Sequence, residues 1–412
     1  MCSSASRRAP SPTACTRRRT ICRTGSTSGT SRHATVLSRA IVIGAGFAGL
    51  AAADALTREG LDVVVLEATD RVGGRVWSEP LANGAIVERG AEFVLPGYET
   101  MRTLAARLGL AFREKGTLYG DREPRDGPPL SREELVAAVA QLGDARGASL
   151  AAAVDALPAT EGARAAIASR LAISTAHELD DQPASILADG AAGFGAFPSH
   201  GIDGGNDLLA RELAASLDVR LGRRIERVAW DELGVTVDDD NADVCVVATP
   251  ADALVFDPPL PDWKRRALGA VRYGHAAKVF LQLEHGVEPS ATLSVPGRFW
   301  TWTEHGSRAV SSFAGTASAL ERLDVAHGPE RWAAAVRLLR PDLPYADAEP
   351  VLATWPGGAY SARSLSSPLE DDALAEPVGP IAFAGEHTAR EWHGLMEGAL
   401  RSGLRAAAQC VT

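Results

Sequence analysis

Residues 40–75 read AIVIGAGFAGLAAADALTREGLDVVVLEATDRVGGR, and this stretch decides the fold. A β-branched run leads into a G-x-G-x-x-G turn, an Ala- and Leu-rich helical stretch follows, and a second apolar run ends at Glu67. Gly44 would make the tight turn, Gly46 would let a pyrophosphate approach the backbone, and Gly49 would let helix and strand pack closely. The helix N-terminus offers free N–H groups to phosphate, and Glu67 is placed to bind an adenosine ribose. Because all these parts occur in the required order, the stretch predicts a dinucleotide site rather than a merely structural βαβ unit.

The segment after the second strand favours FAD over NAD. Residues 67–77 read EATDRVGGRVW, which resembles the E-A-x-x-R-x-G-G-R stretch of the flavin-containing amine oxidase family. Gly73 and Gly74 would let a second loop approach the diphosphate, and Arg71 and Arg75 would offer it positive charge. Classical NAD-dependent dehydrogenases do not usually continue in this way, so the resemblance implies FAD.

The C-terminal region carries the same resemblance independently. Residues 381–399 read IAFAGEHTAREWHGLMEGA and are similar to the family's closing F-A-G-E-x-T and G-x-x-E-G-A segments. A buried strand would end at Gly385 and Glu386, whose carboxylate would bind ribityl or ribose hydroxyls. A helix from near Gly394 to Ala408 would point its positive end at the flavin pyrimidine ring.

Further stretches between the two ends align with the family more loosely. They are residues 201–209 (a glycine turn and helix), 224–228 with 234–237 (a β-hairpin) and 242–250 (a buried strand ending in A-T-P). The positions that the resemblance assigns to the cofactor are Gly44, Gly46, Phe47, Ala48, Gly49, Glu67, Ala68, Arg71, Gly74, Arg75, Ile225, Gly385, Glu386, Leu395 and Met396.

The implied fold class is α/β, with a Rossmann-like FAD-binding domain and an inserted α+β substrate domain. The FAD-binding domain would comprise residues 36–92, 200–259 and 353–412, and the substrate domain residues 93–199 and 260–352. Residues 93–199 read mainly as helices. Within 260–352 we expect strands at 277–283, 298–303 and 309–314 and a helix at 329–340.

The first 38 residues differ from the rest in composition. They contain no Asp or Glu, seven Arg, many Ser and Thr and three of the five cysteines. Such a segment cannot bury enough apolar surface to order itself, so a disordered basic extension over residues 1–35 is expected. An organelle transit peptide and a functional basic tail are the alternatives.

Bulk properties narrow the function classes. A hydrophobic content of 46% in 412 residues allows a large core, and a net charge of −10 argues against nucleic acid as a partner. Five cysteines without a CxxC pair indicate a reducing, cytoplasmic setting, and no segment reads as a membrane anchor. His387 and His393 are not spaced like metal ligands, and no cluster of cysteines or carboxylates accompanies them, so no metal is expected. A homodimer is left open.

Lys278 is the first candidate catalytic residue. It is one of only three lysines among 42 lysines and arginines, and it lies in the apolar run AAKVFL. The resemblance places it where the family has a lysine that holds a water beneath flavin N5 and assists reoxidation. A plain surface cation would more often be arginine in this chain, although a solvated strand face is the alternative.

Tyr360 is the second candidate. Residues 357–361 read GGAYS and resemble the family's G-G-x-Y segment beside the flavin ring. In animal monoamine oxidases the residue before this tyrosine is a cysteine that bonds the flavin; here it is Ala359, which implies non-covalent FAD. Tyr360 would form one wall of an aromatic cage for the amine, with a core aromatic as the alternative. The other wall aligns with Leu395, so the cage is incomplete.

Glu92 and two tryptophans complete the candidates. Glu92 is expected on a strand leading to the active-site floor, where it would pair with a cationic amine, act as an acid/base group or form a structural salt bridge. Trp300 and Trp302 alternate on one strand and share a face. They would line the substrate cavity together with Leu395, or pack in the core.

Together these residues predict an FAD-dependent oxidase that converts the C–N bond of a small-molecule amine to an imine while O2 is reduced to H2O2. The incomplete cage favours a specialised-metabolism substrate. The alternatives are an L-amino-acid oxidase using Arg298 or Arg363 to bind a carboxylate, a C–C desaturase, or a flavin-binding protein without turnover. Lys278 argues against the last.

Overall fold

The computed structural model describes residues 39–187, 194–355 and 357–412. The extension expected over residues 1–35 lies outside these ranges. The strands of the described chain are β1 Arg39–Ile43, β2 Asp62–Leu66, β3 Ser78–Pro80, β4 Ile86–Glu88, β5 Phe112–Leu118, β6 Glu123–Arg125, β7 Pro198–Ile202, β8 Asp218–Arg220, β9 Arg227–Trp230, β10 Val235–Val237, β11 Asp240–Ala242, β12 Val244–Val247, β13 Val255–Asp257, β14 Arg272–Tyr273, β15 Ala276–Val287, β16 Ser290–Ser294, β17 Phe299–Thr303, β18 Ser307–Gly315, β19 Val351–Trp355, β20 Ser361–Ala362 and β21 Ile381–Phe383.

Its α-helices are α1 Phe47–Arg58, α2 Glu99–Arg107, α3 Arg132–Val139, α4 Leu150–Asp155, α5 Glu161–Thr175, α6 Leu208–Ala214, α7 Asp262–Ala270, α8 Ala317–Arg322, α9 Glu330–Leu339, α10 Asp371–Ala375 and α11 Met396–Val411. Short 3-10 turns include Glu386–Thr388 and Arg390–Trp392. In the described ranges, no helix combines the length and the apolar character needed to cross a bilayer.

A five-stranded parallel sheet forms one half of the molecule, in the order β21-β12-β1-β2-β8. Its central strands are buried on both faces, which explains their continuous β-branched sequence. Val42 and Val65 face a core shared with α1, α2 and α11, whereas Ile41 and Val64 face a core shared with α7, α10 and the sheet β11-β10-β9-β13. The strand–helix–strand unit predicted from residues 40–75 is therefore confirmed.

A six-stranded, mostly antiparallel sheet forms the other half, in the order β19-β15-β18-β17-β16-β6. The three strands and the helix expected within residues 260–352 are all present, as β15, β17, β18 and α9. The first eight residues of β15, which include Lys278, are all buried. The boundaries expected for the two domains remain predictions.

The expectation that residues 93–199 are mainly helical was partly wrong. Strands β5 and β6 lie in this segment, β5 pairs with β7, and β6 joins the edge of the six-stranded sheet. The sequence of β5, FREKGTL, lacks an alternating apolar pattern because the strand places the charged side chain of Lys115 in buried ion pairs. Hydrophobic periodicity therefore could not reveal it.

Candidate active site

The three glycines of the first turn have different surroundings. A Cβ atom at Gly44 would lie 2.8 Å from the carbonyl oxygen of Ala248, and one at Gly49 would lie 1.9 Å from the carbonyl oxygen of Gly44. A Cβ atom at Gly46 would meet, among the described residues, only the Cα of Gly74 at 4.0 Å. Packing of the protein thus requires Gly44 and Gly49, whereas Gly46 borders open space. Open space at the N-terminus of a helix is where the diphosphate of a dinucleotide is expected, and its binding here stays a prediction.

The second glycine loop packs against this turn. The amide of Gly73 donates to the carbonyl of Ala45 at 2.8 Å. The Arg71 guanidinium donates to three carbonyls within its own loop, most closely that of Gly74 at 2.7 Å, and lies over the Trp77 ring. Arg71 therefore shapes the loop that borders the open space, and its direct contact with a diphosphate stays a prediction.

Glu67 stands at the carboxyl end of β2, as expected for a ribose ligand. One carboxylate oxygen accepts from the amide of Ala45 at 2.7 Å, and the other accepts from the amide and hydroxyl of Thr69 at 2.9 and 2.8 Å. These bonds hold the carboxylate beside the first turn. Ala68 next to it is half-buried, and Ile225 packs in the core beneath the sheet.

Glu386 ties together three separate stretches of chain. One carboxylate oxygen accepts from Arg75 at 2.7 Å and from the Ser361 amide at 2.9 Å, and the other accepts from the Ser361 hydroxyl at 2.5 Å and the Gly394 amide at 2.9 Å. Burial would raise the pKa of Glu386, but the Arg75 guanidinium and the other partners hold it at about 2. Gly385, just before it, has a φ of +139°. Glu386 thus holds these stretches of chain together. Its expected contact with ribityl or ribose hydroxyls stays a prediction.

The helix expected from near Gly394 begins at Met396, with half-exposed Leu395 as its N-cap residue. Leu395 provides no side-chain cap, so the first N–H groups of α11 are available to an acceptor outside the chain. Buried Glu397 instead accepts from the amides of Thr100 and Met101, at the N-terminus of α2. This carboxylate, which the sequence did not single out, fixes α11 against α2.

His387 is almost completely buried, at 3% exposure, beside the Tyr273 ring. Burial lowers its pKa to about 4, so it is neutral at pH 7. Within the described ranges, no set of three or more His, Cys, Asp and Glu side chains is arranged to hold a metal ion.

The buried neutral state of His387 predicts acid sensitivity. Its pKa is about 6.5 when unfolded and about 4 when folded, so the unfolded chain gains a proton first as pH falls. This group alone should lower the free energy of unfolding by about 3 kcal/mol between pH 7 and pH 4. His387→Gln should flatten that part of a urea-unfolding profile, whereas His305→Gln, at an exposed histidine, should leave it unchanged. Equal slopes for wild type and His387→Gln would contradict this assignment.

Two of the predicted catalytic residues form a buried ion pair. Lys278 Nζ donates to Glu92 Oε2 at 2.6 Å and to the Glu88 carbonyl at 2.8 Å, and Glu92 Oε1 accepts from Trp302 Nε1 at 2.8 Å. Burial would raise the pKa of Glu92, but Lys278 and then Lys115 lower it to about 2. Glu92 was expected on a strand, but it lies outside the assigned strands. The chain has already left the β3–β4 hairpin, whose pairing ends at Glu88, and Glu92 pairs with no other strand of the described chain.

Lys115, which the sequence analysis missed, shares the same carboxylate. Its ammonium lies 3.3 Å from Glu92 Oε1 and also donates to Glu304. All three lysines of the chain, Lys115, Lys264 and Lys278, are buried. The scarcity of lysine that singled out Lys278 was therefore a signal for Lys115 as well.

Glu88 adds a titratable carboxyl next to this cluster. Its carboxylate accepts from the Ser78 hydroxyl at 2.7 Å and from the backbone amide of Asn206 at 2.8 Å. Burial raises its pKa to about 7, although Lys115 and the hydrogen bonds oppose the rise. A group that changes charge near neutral pH thus lies beside the Lys278–Glu92 pair.

Trp300 and Trp302 share a face of β17, as predicted. Their rings stack at 4.1 Å, and the Phe93 ring lies 5.5 Å from each of them. Both indoles are buried. The stack extends from the Glu92 carboxylate, and contact with a substrate stays a prediction.

Tyr360 is anchored away from the charged cluster. Its hydroxyl donates to the carbonyls of Ile173 and Ser174 at the C-terminal end of α5, and its ring borders Gly394. Burial raises the pKa of the phenol, so it stays neutral. In the described chain the hydroxyl contacts neither Lys278 nor Glu92.

The two arginines considered as carboxylate clamps already have partners. Arg298 lies 3.5 Å from Glu178, and Arg363 lies 3.0 Å from Asp371. Neither guanidinium is positioned as an unpaired anion receptor in this structure.

Comparison with known proteins identifies one protein family over most of the chain. The sequence profile described as "Flavin containing amine oxidoreductase" matches residues 47–187 and 189–411. The putative flavin-containing monoamine oxidase AofH of Mycobacterium tuberculosis (strain CDC 1551 / Oshkosh) is 29% identical over 458 residues, which cover 90% of this chain and 95% of that protein. Polyamine oxidase 4 of Oryza sativa subsp. japonica is 26% identical, covering 90% of this chain and 88% of that protein.

Solved structures agree in fold. Cyclohexylamine oxidase from Brevibacterium oxydans IH-35A superposes with a TM-score of 0.77 at 22% identity, covering 91% of this chain and 99% of that one. Wild-type putrescine oxidase bound to putrescine superposes with a TM-score of 0.73, also at 22% identity, covering 91% and 99%. At these identities the likeness concerns the fold alone, and it confirms the α/β fold class implied by the sequence.

Proposed function

The chain belongs to the flavin-containing amine oxidoreductase family, whose members are FAD enzymes that oxidise amines, and on this premise we propose the reaction it performs. The protein dehydrogenates a C–N bond of a small-molecule amine to an imine and passes the electrons to O2, which becomes H2O2. It holds FAD without a covalent bond. Its substrate is a specialised-metabolism amine rather than a simple monoamine.

The residues present fit FAD. The open space at Gly46 and the N-terminus of α1 would take the diphosphate, Glu67 the ribose, and the uncapped N-terminus of α11 the flavin pyrimidine ring. When bound, FAD would supply the acceptor for a hydride equivalent from the carbon next to nitrogen. Ala359, buried before Tyr360, offers no nucleophile for a covalent link.

The observation that carries the proposal is the buried Lys278–Glu92 pair. An ammonium has three N–H donors, and Lys278 uses two of them for the Glu88 carbonyl and Glu92. The third is available to hold a water at the reacting centre. Glu92 fixes the direction of the Lys278 side chain, which is what a group that positions a proton donor for oxygen reduction requires.

The proposed class of substrate rests on the incomplete aromatic cage. Tyr360 stands beside Gly394, and the next residue, Leu395, is aliphatic and half-exposed. A cage with one aromatic wall favours an amine with a larger apolar or functional group over a small alkylamine.

The test is the visible spectrum of the purified protein, recorded without oxygen before and after addition of amines and amino acids. Bleaching by one class of amine identifies the substrate class, and H2O2 should appear when air is admitted. A protein that shows no flavin band even after reconstitution with FAD would sink the proposal. Acid precipitation of the protein tests whether FAD is covalently bound, since non-covalent FAD should remain in the supernatant.

The glycine surroundings give a separate prediction about cofactor binding. Gly46→Val should abolish flavin binding while leaving the fold intact, because the new Cβ would touch the described protein only at the Cα of Gly74, at 4.0 Å, and would otherwise occupy open space. Gly143→Val, at an exposed glycine with nothing within 4 Å, serves as the control and should bind flavin normally. Flavin absorbance and the far-UV circular dichroism of both variants provide the measurement. Normal flavin content in Gly46→Val would show that the diphosphate lies elsewhere.

A further inference from the structure

Arg122 is a buried cation at the opposite end of the tryptophan stack from Lys278. It immediately precedes β6, is 6% exposed, and its guanidinium carbon lies 3.5 Å from the centre of the Trp300 ring. The Tyr119 ring is 5.1 Å away. Aromatic faces therefore hold the guanidinium flat and fix the direction of its nitrogens.

The hydrogen bonds of Arg122 leave its outer edge without an acceptor. Nε donates to the Tyr119 carbonyl at 3.3 Å, while Nη1 is buried without a partner. No carboxylate of the described chain forms an ion pair with Arg122. Arg340, which is equally buried, contrasts with it because its Nε and Nη2 bind Asp342.

A buried guanidinium without a counter-ion is costly unless something else supplies the charge. The outer edge of a guanidinium, formed by its two Nη groups, matches the two oxygens of a carboxylate. Arg170 donates to the same Tyr119 carbonyl at 3.3 Å, so two guanidinium groups meet at this carbonyl. An anion with the shape of a carboxylate would supply that charge.

Two stacked indoles separate this anion site from the catalytic pair. Arg122 covers Trp300, Trp300 stacks on Trp302 at 4.1 Å, and Trp302 donates to Glu92. Lys278 Nζ lies 5.4 Å from the Trp302 ring. A molecule with its amine at the Lys278 end and its carboxylate at Arg122 must span both indoles.

We propose that Arg122 binds the carboxylate of an amine substrate whose amino group lies several bonds away, as in an ω-amino acid. An α-amino acid is too short, because a single carbon separates its two groups. This inference rests on the proposed function, since it specifies which amines that same site oxidises.

The experiment compares wild type with Arg122→Met, Arg122→Lys and the control Arg132→Met, which removes an exposed arginine. Pentanoate binding to the holoenzyme is followed by tryptophan fluorescence, which needs no turnover. We expect Arg122→Met to weaken pentanoate binding about tenfold or more, Arg122→Lys to retain part of it, and Arg132→Met to match wild type. Wild type that does not bind pentanoate, or Arg122→Met that binds it equally well, would overturn the proposal.

Anaerobic flavin reduction supplies the second readout, with 5-aminopentanoate, n-pentylamine and L-norvaline as probes. Wild type should favour 5-aminopentanoate over the other two, and Arg122→Met should lose that preference. A preference for L-norvaline contradicts a remote carboxylate. If no amine reduces the flavin, the proposed function fails, whereas pentanoate binding still decides the role of Arg122. If Arg122→Met does not fold, Arg122→Lys carries the comparison.

Discussion

Lys278→Met is expected to slow the reoxidation of bound flavin by oxygen about 10²-fold or more, the size of effect typical of a lost proton-transfer group. Methionine retains the apolar stem but removes the ammonium and its third N–H donor. The rate of the reaction with substrate should change much less, because hydride transfer needs orientation rather than this donor. Stopped-flow mixing of anaerobically reduced enzyme with oxygenated buffer measures the first step, and anaerobic mixing with amine measures the second.

Lys264→Met is the matched control for loss of a buried lysine. Lys264 donates to the carbonyls of Ala373, Leu374 and Glu376 at the end of α10, outside the Lys278–Glu92 cluster. That variant should lose stability but reoxidise at the wild-type rate. Unchanged reoxidation in Lys278→Met would remove the role assigned to Lys278 and leave the Lys278–Glu92 pair as a structural salt bridge.

Glu92→Gln is expected to lower the free energy of unfolding by about 3–5 kcal/mol, the usual cost of leaving a buried charge without its partner. Two ammonium groups, those of Lys278 and Lys115, share the Glu92 carboxylate, and burial keeps solvent from replacing it. Urea unfolding at pH 7 followed by circular dichroism measures the loss. Glu123→Gln, at an exposed carboxylate, should cost well under 1 kcal/mol.

A double variant tests whether the charges of Lys115 and Glu92 interact in the folded protein. Glu92→Gln with Lys115→Met removes one ammonium together with the carboxylate, so it should be less destabilised than the sum of the two single variants. Strict additivity would mean that Lys115 and Glu92 do not interact, contrary to their 3.3 Å separation.

The elements around the first glycine turn and around Glu386 were predictable because their signals are local. Each of these signals occupies a contiguous stretch whose spacing follows from backbone geometry: the turn at Gly44–Gly49, the strand that ends just before Glu67, and the strand and helix around Glu386. Lys278 was found by composition, since lysine is scarce in this chain. Scarcity alone did not predict that Lys115 is buried, because β5 around it has no apolar alternation to mark a buried strand.

The charged cluster could not be predicted because its members are distant in sequence. Lys278 and Glu92 are separated by 186 positions and Trp302 and Glu92 by 210, so no spacing rule connects them. The same holds for Glu397, whose carboxylate caps a helix that begins 298 positions earlier, at Glu99. Residue type indicated that such side chains were unusual, but not which partner each would meet.

By itself, the sequence determined the α/β fold, the dinucleotide turn and the identity of Lys278 as a residue to test, because these depend on short-range backbone conformation and on residue frequencies. The tertiary structure alone shows that Lys278 and Lys115 share Glu92. It also shows that Arg122, which has no carboxylate partner among the described residues, lies across two indoles from them. Burial decides those relations, since a charge removed from water must find its partner wherever the folded chain brings one, and packing between distant strands sets that place.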